Sequence, residues 1–173
     1  LKNQKLEKGG IIVEGTAGNT GIGLAVVCKE YGLKLKVVIP KTQSTEKKQL
    51  LKKMGAELIE VDAVPYTNPN NYIKQSKVIA ENLNKTNNHG VVWANQFDNL
   101  ENTKSHIETT AEEIWTQTGG EINGFTCAVG TGGTLAGVSM GLKKRNKNIK
   151  IALSDPMGSS LFSFIKYKRL ENK

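Results

Sequence analysis

The chain has 173 residues and a net charge of +8, with 38% hydrophobic and 23% charged residues, which suits a soluble globular protein of one domain or one and a half. No apolar run approaches the about 20 residues of a membrane span, and no secretory leader is visible in the charged start Leu1-Lys2-Asn3-Gln4-Lys5. Of 24 basic residues only Arg145 and Arg169 are arginine, and aromatics are 6%; this argues against nucleic acid, whose readers rely on arginine and on stacking side chains.

The elements alternate along the chain. Ile11-Ile12-Val13 reads as a strand, followed by a helix over 19–31 that Gly32 closes. Lys36 to Ile39 is the next strand, stopped by Pro40. Ser44 caps a helix running to Met54, with Leu50, Leu51 and Met54 inward and lysines outward, and Gly55 ends it. Leu58, Ile59 and Val61 form a strand. The loop 65–71, rich in Asn and Pro, leads into a helix over 72–84, and Val91 to Trp93 is a short strand. One helix is predicted from Thr103 to Thr118, because Ile107, Ala111, Ile114 and Trp115 share a face. A buried strand over 125–129, a helix over 134–145, a strand over 149–153 and a last helix around 161–165 complete the order. Such alternation predicts an α/β fold of parallel sheets with helices on both faces. Ligands of such sheets bind beyond the carboxyl ends of the strands.

Cys28 and Cys127 lie far apart in apolar sequence, and no Cys-x-x-Cys occurs, while His89 and His106 are isolated. Buried reduced thiols are expected, with no disulfide and no metal site.

Three loops carry the chemistry. Gly130-Thr131-Gly132-Gly133-Thr134 follows a strand and opens a helix. A helix start leaves backbone N–H groups unpaired, the helix dipole adds partial positive charge, and glycines permit close approach. Thr131 and Thr134 add hydroxyl donors. The loop suits a phosphate; the alternative is a glycine-rich β–α connection with no ligand. Glu14-Gly15-Thr16-Ala17-Gly18-Asn19-Thr20-Gly21-Ile22-Gly23 also joins strand to helix. It imitates a dinucleotide fingerprint, but the acidic residue needed at the end of the second strand is replaced by Pro40-Lys41. Its polar segment, Thr16 to Thr20, fits a carboxylate better than a pyrophosphate. Asn95-Gln96-Phe97-Asp98-Asn99 is either an Asx-rich turn or an amide donor for the same crevice. Gly137-Val138-Ser139-Met140-Gly141 matches a nucleophile elbow, yet it falls inside a helical stretch and is set aside.

In this order and spacing the three loops resemble the cysteine synthase and cystathionine β-synthase family, pyridoxal-phosphate enzymes of fold type II (tryptophan synthase β-like). Gly-Ala-Glu at 55–57 and His-Ile-Glu-Thr-Thr at 106–110 extend the similarity over essentially the whole chain. Pro40-x-Thr42-Gln43-Ser44 is similar to the fungal cysteine synthase-like branch, which implies an intracellular, mitochondrial location, with cytoplasmic as the alternative. The resemblance implies that Gly130, Thr131, Gly132, Gly133 and Thr134 cradle the phosphate of pyridoxal phosphate and that Asn19 bonds its ring hydroxyl. It implies that Thr16, Ala17, Gly18, Thr20 and Gln96 hold the substrate α-carboxylate; Ala17 stands where many relatives carry serine. The family's Schiff-base lysine is expected upstream of Leu1 and its pyridine-nitrogen serine downstream of Lys173. No catalytic residue is therefore assigned, the chain is expected to be the middle of the enzyme, incomplete at both ends, and alone it is expected to be inactive. The implied division puts 12–120 in the smaller mobile subdomain, and 1–11 with 121–173 in the larger cofactor-binding one. The implied reaction is β-replacement on an activated serine with sulfide, in a homodimer. Serine or threonine deamination, cystathionine β-synthase activity, and a non-catalytic binding protein of the same fold are the alternatives.

Overall fold

The computed structural model describes residues 6–171, whose contacts divide into two compact units, one ending at Gln96 and one beginning at Phe97. The first unit is built on a four-stranded parallel sheet in the order β3-β2-β1-β4, with β1 at Ile11–Gly15, β2 at Lys34–Pro40, β3 at Glu57–Val61 and β4 at Val91–Trp93. Strand β1 is central and buried along its whole length, so its side chains feed two cores alternately. Ile12 packs with Val37, Ile39, Ala25 and Leu51, beneath helices α1 (Asn19–Tyr31) and α2 (Thr45–Lys53). Ile11 and Val13 pack with Val38 and Ala80 on the opposite face, under α3 (Tyr72–Asn84). Because β2 and β4 flank β1 on opposite sides, the strand order reverses at β1, and the loops after β1 and β4 leave the same sheet edge at that reversal.

Local signals set the helix ends. Gly32 takes the left-handed conformation at φ +63 and closes α1, and Ser44 caps α2. Asn71 caps α3: its Oδ1 accepts from the Ile73 N–H at 3.0 Å and its Nδ2 donates to the Val64 carbonyl at 2.9 Å. Asn71 is buried, so Asn71→Ala removes a cap and a loop anchor together. We expect a loss of about 1–2 kcal/mol, read as a lower urea midpoint; an unchanged midpoint would show that neither bond matters.

The second unit holds a two-stranded parallel sheet, β5 (Gly124–Ala128) with β6 (Lys150–Ser154), and helices α4 (Glu101–Glu108), α5 (Thr110–Gln117), α6 (Gly133–Arg145) and α7 (Ser160–Tyr167). Its core joins Ala111, Val138, Leu142 and Ile149. Gly133, Gly137 and Gly141 fall four apart on one face of α6. A Cβ on Gly137 would run into the Thr103 carbonyl and the His106 Cβ, one on Gly141 into Ala111, and one on Gly133 into the Asn102 side chain. Glycine there lets α4 and α5 approach the α6 backbone closely.

Four expectations are corrected. The helix expected over 103–118 is two helices, broken at Thr109, whose φ of −118 and ψ of −71 stay in the right-handed region but lie far from regular helix values; its hydroxyl bonds back to the Ser105 carbonyl at 2.8 Å, a geometry that bends helices. The strand over 125–129 is not buried on both faces: Phe125 and Cys127 are half-buried, while Thr126 and Ala128 are exposed. Cys127 is accordingly only half-buried, whereas Cys28 lies in the core and both are free thiols. Leu50 is exposed and Leu51 alone on α2 is fully buried, because the core-facing stripe of this short helix is narrow.

Candidate functional site

The polar loop after β1 is folded on itself and onto the end of β4. Thr16 is buried, and its Oγ1 accepts from the Gly18 N–H at 3.1 Å. Gly18 then precedes α1 with no side-chain cap, so Asn19, Thr20 and Gly21 open the helix. Thr20 Oγ1 donates to Gln96 Oε1 at 2.6 Å, and Gln96 Nε2 donates to the Gly15 carbonyl at 3.2 Å. Residues 76 positions apart are thus joined where β1 and β4 deliver their carboxyl ends. Thr16, Ala17, Gly18, Thr20 and Gln96 therefore share one neighbourhood within the first unit, with Asn19 exposed beside them. Gly21 and Gly23 lie within α1 rather than in the turn, so the dinucleotide imitation has no structural basis.

Glu14 sits beneath this loop and escaped the sequence reading. It is 1% exposed, among β-strand residues that are otherwise apolar. Burial pushes its carboxyl up to about 7, while the Gln96 backbone and side-chain amides and the N–H groups of Asn95 and Gly15 pull the other way. A carboxylate in the run Ile11-Ile12-Val13-Glu14 was the signal that could have found it.

In the second unit the loop 130–134 leads from β5 into α6. Gly132 stands at φ +90 as N-cap, in the left-handed region, and has no side chain with which to cap the helix itself. A Cβ on Gly130 or Gly132 would meet nothing within 4 Å, so the space beside the backbone at both positions is open. Helix α4 braces the two hydroxyls. Asn102 Nδ2 donates to Thr131 Oγ1 at 2.8 Å, which also accepts from the Gly133 N–H at 3.3 Å. His106 lies between Thr134 Oγ1, at 3.0 Å from Nε2, and Thr110 Oγ1, at 2.9 Å from Nδ1. With Nε2 protonated, His106 donates to Thr134, whose own hydrogen is left to point at a ligand. Asn102 and His106 are four apart on one helix face, yet nothing in the sequence links that face to a glycine loop 28 residues away.

Open glycine backbone, a helix start with no capping side chain on Gly132 and two braced hydroxyls make a fitting cradle for the phosphate of a cofactor. Among the described residues no group of His, Cys, Asp and Glu could hold a metal ion, and no helix is long and apolar enough to cross a membrane.

A sequence model of the family described as pyridoxal-phosphate dependent enzyme matches residues 1–171. Cysteine synthase 1 of Emericella nidulans is 52% identical over 161 residues, covering 92% of this chain and 42% of that protein. A cysteine synthase of Saccharomyces cerevisiae, mitochondrial by its name, is 40% identical over 161 residues, covering 91% and 41%. Among solved structures, a hydrogen sulfide-producing enzyme from Fusobacterium nucleatum matches with a TM-score of 0.79 at 38% identity, covering 92% of this chain and 51% of the other. The chain spans about two fifths of the length of these curated relatives.

Proposed function

The chain belongs to the pyridoxal-phosphate dependent enzyme family, and from that premise we propose that the protein it represents makes L-cysteine from O-acetylserine, or a similarly activated serine, and sulfide. The observation that carries the reading is the Thr20–Gln96–Gly15 network at the strand-order reversal, in a chain so similar to cysteine synthases. In this reading Thr16, Ala17, Gly18, Thr20 and Gln96 hold the α-carboxylate, Ala17 through its backbone N–H alone. Gly130, Thr131, Gly132, Gly133 and Thr134 hold the cofactor phosphate, and Asn19 the ring hydroxyl. The bound cofactor would supply an electron sink for charge developing at the amino-acid α-carbon. The residues of this chain contribute binding and orientation: a carboxylate clamped at several donors fixes which bond at the α-carbon is presented for reaction.

The partition of 12–120 from 1–11 with 121–173 as two subdomains, a mitochondrial location and a homodimer belong to the same proposal. The location is supported by the name of the Saccharomyces relative, and the dimer by the apolar side chains Phe162, Phe164, Ile165 and Tyr167 exposed along α7.

In the full-length protein, Gln96→Ala and Thr20→Val should each weaken binding of the amino-acid substrate about 10- to 100-fold, the worth of a hydrogen bond to a charged group, with cofactor absorbance retained. Cysteine formation with sulfide, set against keto-acid release from serine without it, separates the synthase reading from deamination. Tight substrate binding by both variants would remove the carboxylate site from the 16–20 loop.

A further inference from the structure

The substrate reading leaves Glu14 without a task, although it is the buried carboxyl closest in sequence to the loop. Its Oε2 has no hydrogen-bond partner among the described residues. Its neighbour in the network, the Gln96 amide, accepts from the Thr20 hydroxyl on its oxygen and donates from its nitrogen to the Gly15 carbonyl and to the Glu14 carboxylate. In that arrangement the assigned hydrogens of Thr20 and Gln96 point at protein acceptors. A carboxylate arriving at the loop would meet an amide oxygen, and behind it a second carboxylate in a low-dielectric site.

We propose that Glu14 takes up one proton when a carboxylate docks on the 16–20 loop, and that its new O–H holds Gln96 with the amide reversed, so that Gln96 N–H and Thr20 O–H both face the ligand. The inference rests on the reading of this loop as the carboxylate site. The proton comes from solvent and forms one O–H bond on the Glu14 carboxylate, and no other covalent bond changes. Reversal exchanges the amide nitrogen and oxygen, which are nearly equal in size. It gives up the 3.2 Å bond to the Gly15 carbonyl and the amide N–H bond to Glu14, which the new Glu14 O–H on the amide oxygen replaces, and it releases the Thr20 hydrogen. The orphaned Oε2 supplies the atom on which the proton can reside. The carboxyl is already pushed up to about 7 by burial, so uptake near neutral pH needs only the added repulsion of the ligand's charge.

Among the described residues of the first unit, the groups around Glu14 do not offer another proton acceptor or a compensating cation. From α3 the Tyr72 phenol is coupled to it, and is itself pushed up by burial and then by the Glu14 charge, so it stays neutral. From β2, Lys36 is paired with Glu57, and from α2, Lys48 is paired with Glu60. Helix α1 buries Gly21, Ala25 and the Cys28 thiol, which burial also pushes up. The segment after β4 contributes the amides of Asn95 and Gln96, with Asn95 held at φ +49.

The test uses the full-length protein with its cofactor, and propionate, a carboxylate that lacks an amine and so reports on the loop alone. Calorimetric titrations in buffers of different ionisation enthalpy, from about pH 6 to about pH 8.5, read affinity and proton uptake together. The wild type should take up approaching one proton per propionate above pH 7, with affinity falling toward tenfold per pH unit. Glu14→Gln, a permanently neutral isostere whose amide can donate to Gln96, should bind without uptake and with a flat pH profile. Glu14→Asp should restore both. Absence of uptake in the wild type, or its persistence in Glu14→Gln, overturns the proposal. If Gln96→Ala leaves propionate binding unchanged, the carboxylate reading itself fails; if it weakens binding while Glu14→Gln keeps its uptake, only the Glu14 inference falls.

Discussion

Gly137→Val is expected to destabilise the second unit by about 3 kcal/mol, the upper end of what overpacking costs. The reason is geometric. Any Cβ at this position would be driven into the Thr103 carbonyl and the His106 Cβ, and the carbonyl belongs to a helix backbone that cannot rotate away as a side chain would. Relief requires α4 to move off α6. That movement also withdraws Asn102 and His106 from Thr131 and Thr134, because α4 carries the first two and the latter two sit just before and within the first turn of α6. The substitution should therefore lower the urea midpoint and weaken the phosphate binding proposed for 130–134 together. Gly23→Ala on α1 provides the contrast, since a Cβ there meets nothing within 4 Å. That change should be neutral, or stabilising by up to about 1 kcal/mol through helix propensity. Equal midpoints for the two variants would show that close helix approach has no energetic consequence.

Gly137 also marks where sequence reading stops. Its glycine spacing looked like a nucleophile elbow set inside a helix, and only the packing of α4 on α6 reveals what the spacing accommodates. The parallel alternation was legible because each element carries its own signal: Gly32 at the left-handed end of α1, Asn71 before α3, and unbroken β-branched runs in β1 and β2. The break at Thr109 was not legible, since the apolar face of 107–115 continues across it and periodicity reports faces rather than backbone breaks. A five-residue apolar run such as 125–129 cannot distinguish a strand covered on one face from one covered on both, so Cys127 and its neighbours were placed too deep. The 16–20 loop was readable as a polar insert, and its bond to Gln96 follows from strand order, which no local pattern encodes.

Glu14→Gln is expected to stabilise the protein at pH 8 by up to about 3 kcal/mol and to change it little at pH 4. The carboxyl has an ordinary value of 4.5 and stands at about 7 in the fold. Between those values the folded protein still binds a proton that the unfolded chain has released. Raising the pH through this window therefore removes stability, and the loss is complete once the folded carboxyl ionises above 7. Below 4.5 both states are protonated, and the neutral acid and the amide are near equivalents. Glutamine keeps an oxygen to accept the N–H groups of Gly15, Asn95 and Gln96, so the substitution removes the buried charge without orphaning its donors. All other titrating groups are common to the two proteins, and the difference between their curves isolates this one side chain. Urea midpoints at about pH 4, 6 and 8 should diverge progressively as the wild type loses stability that the variant keeps. A constant offset across the three would mean that Glu14 does not change charge between them, and the proton switch would then lack the group it requires.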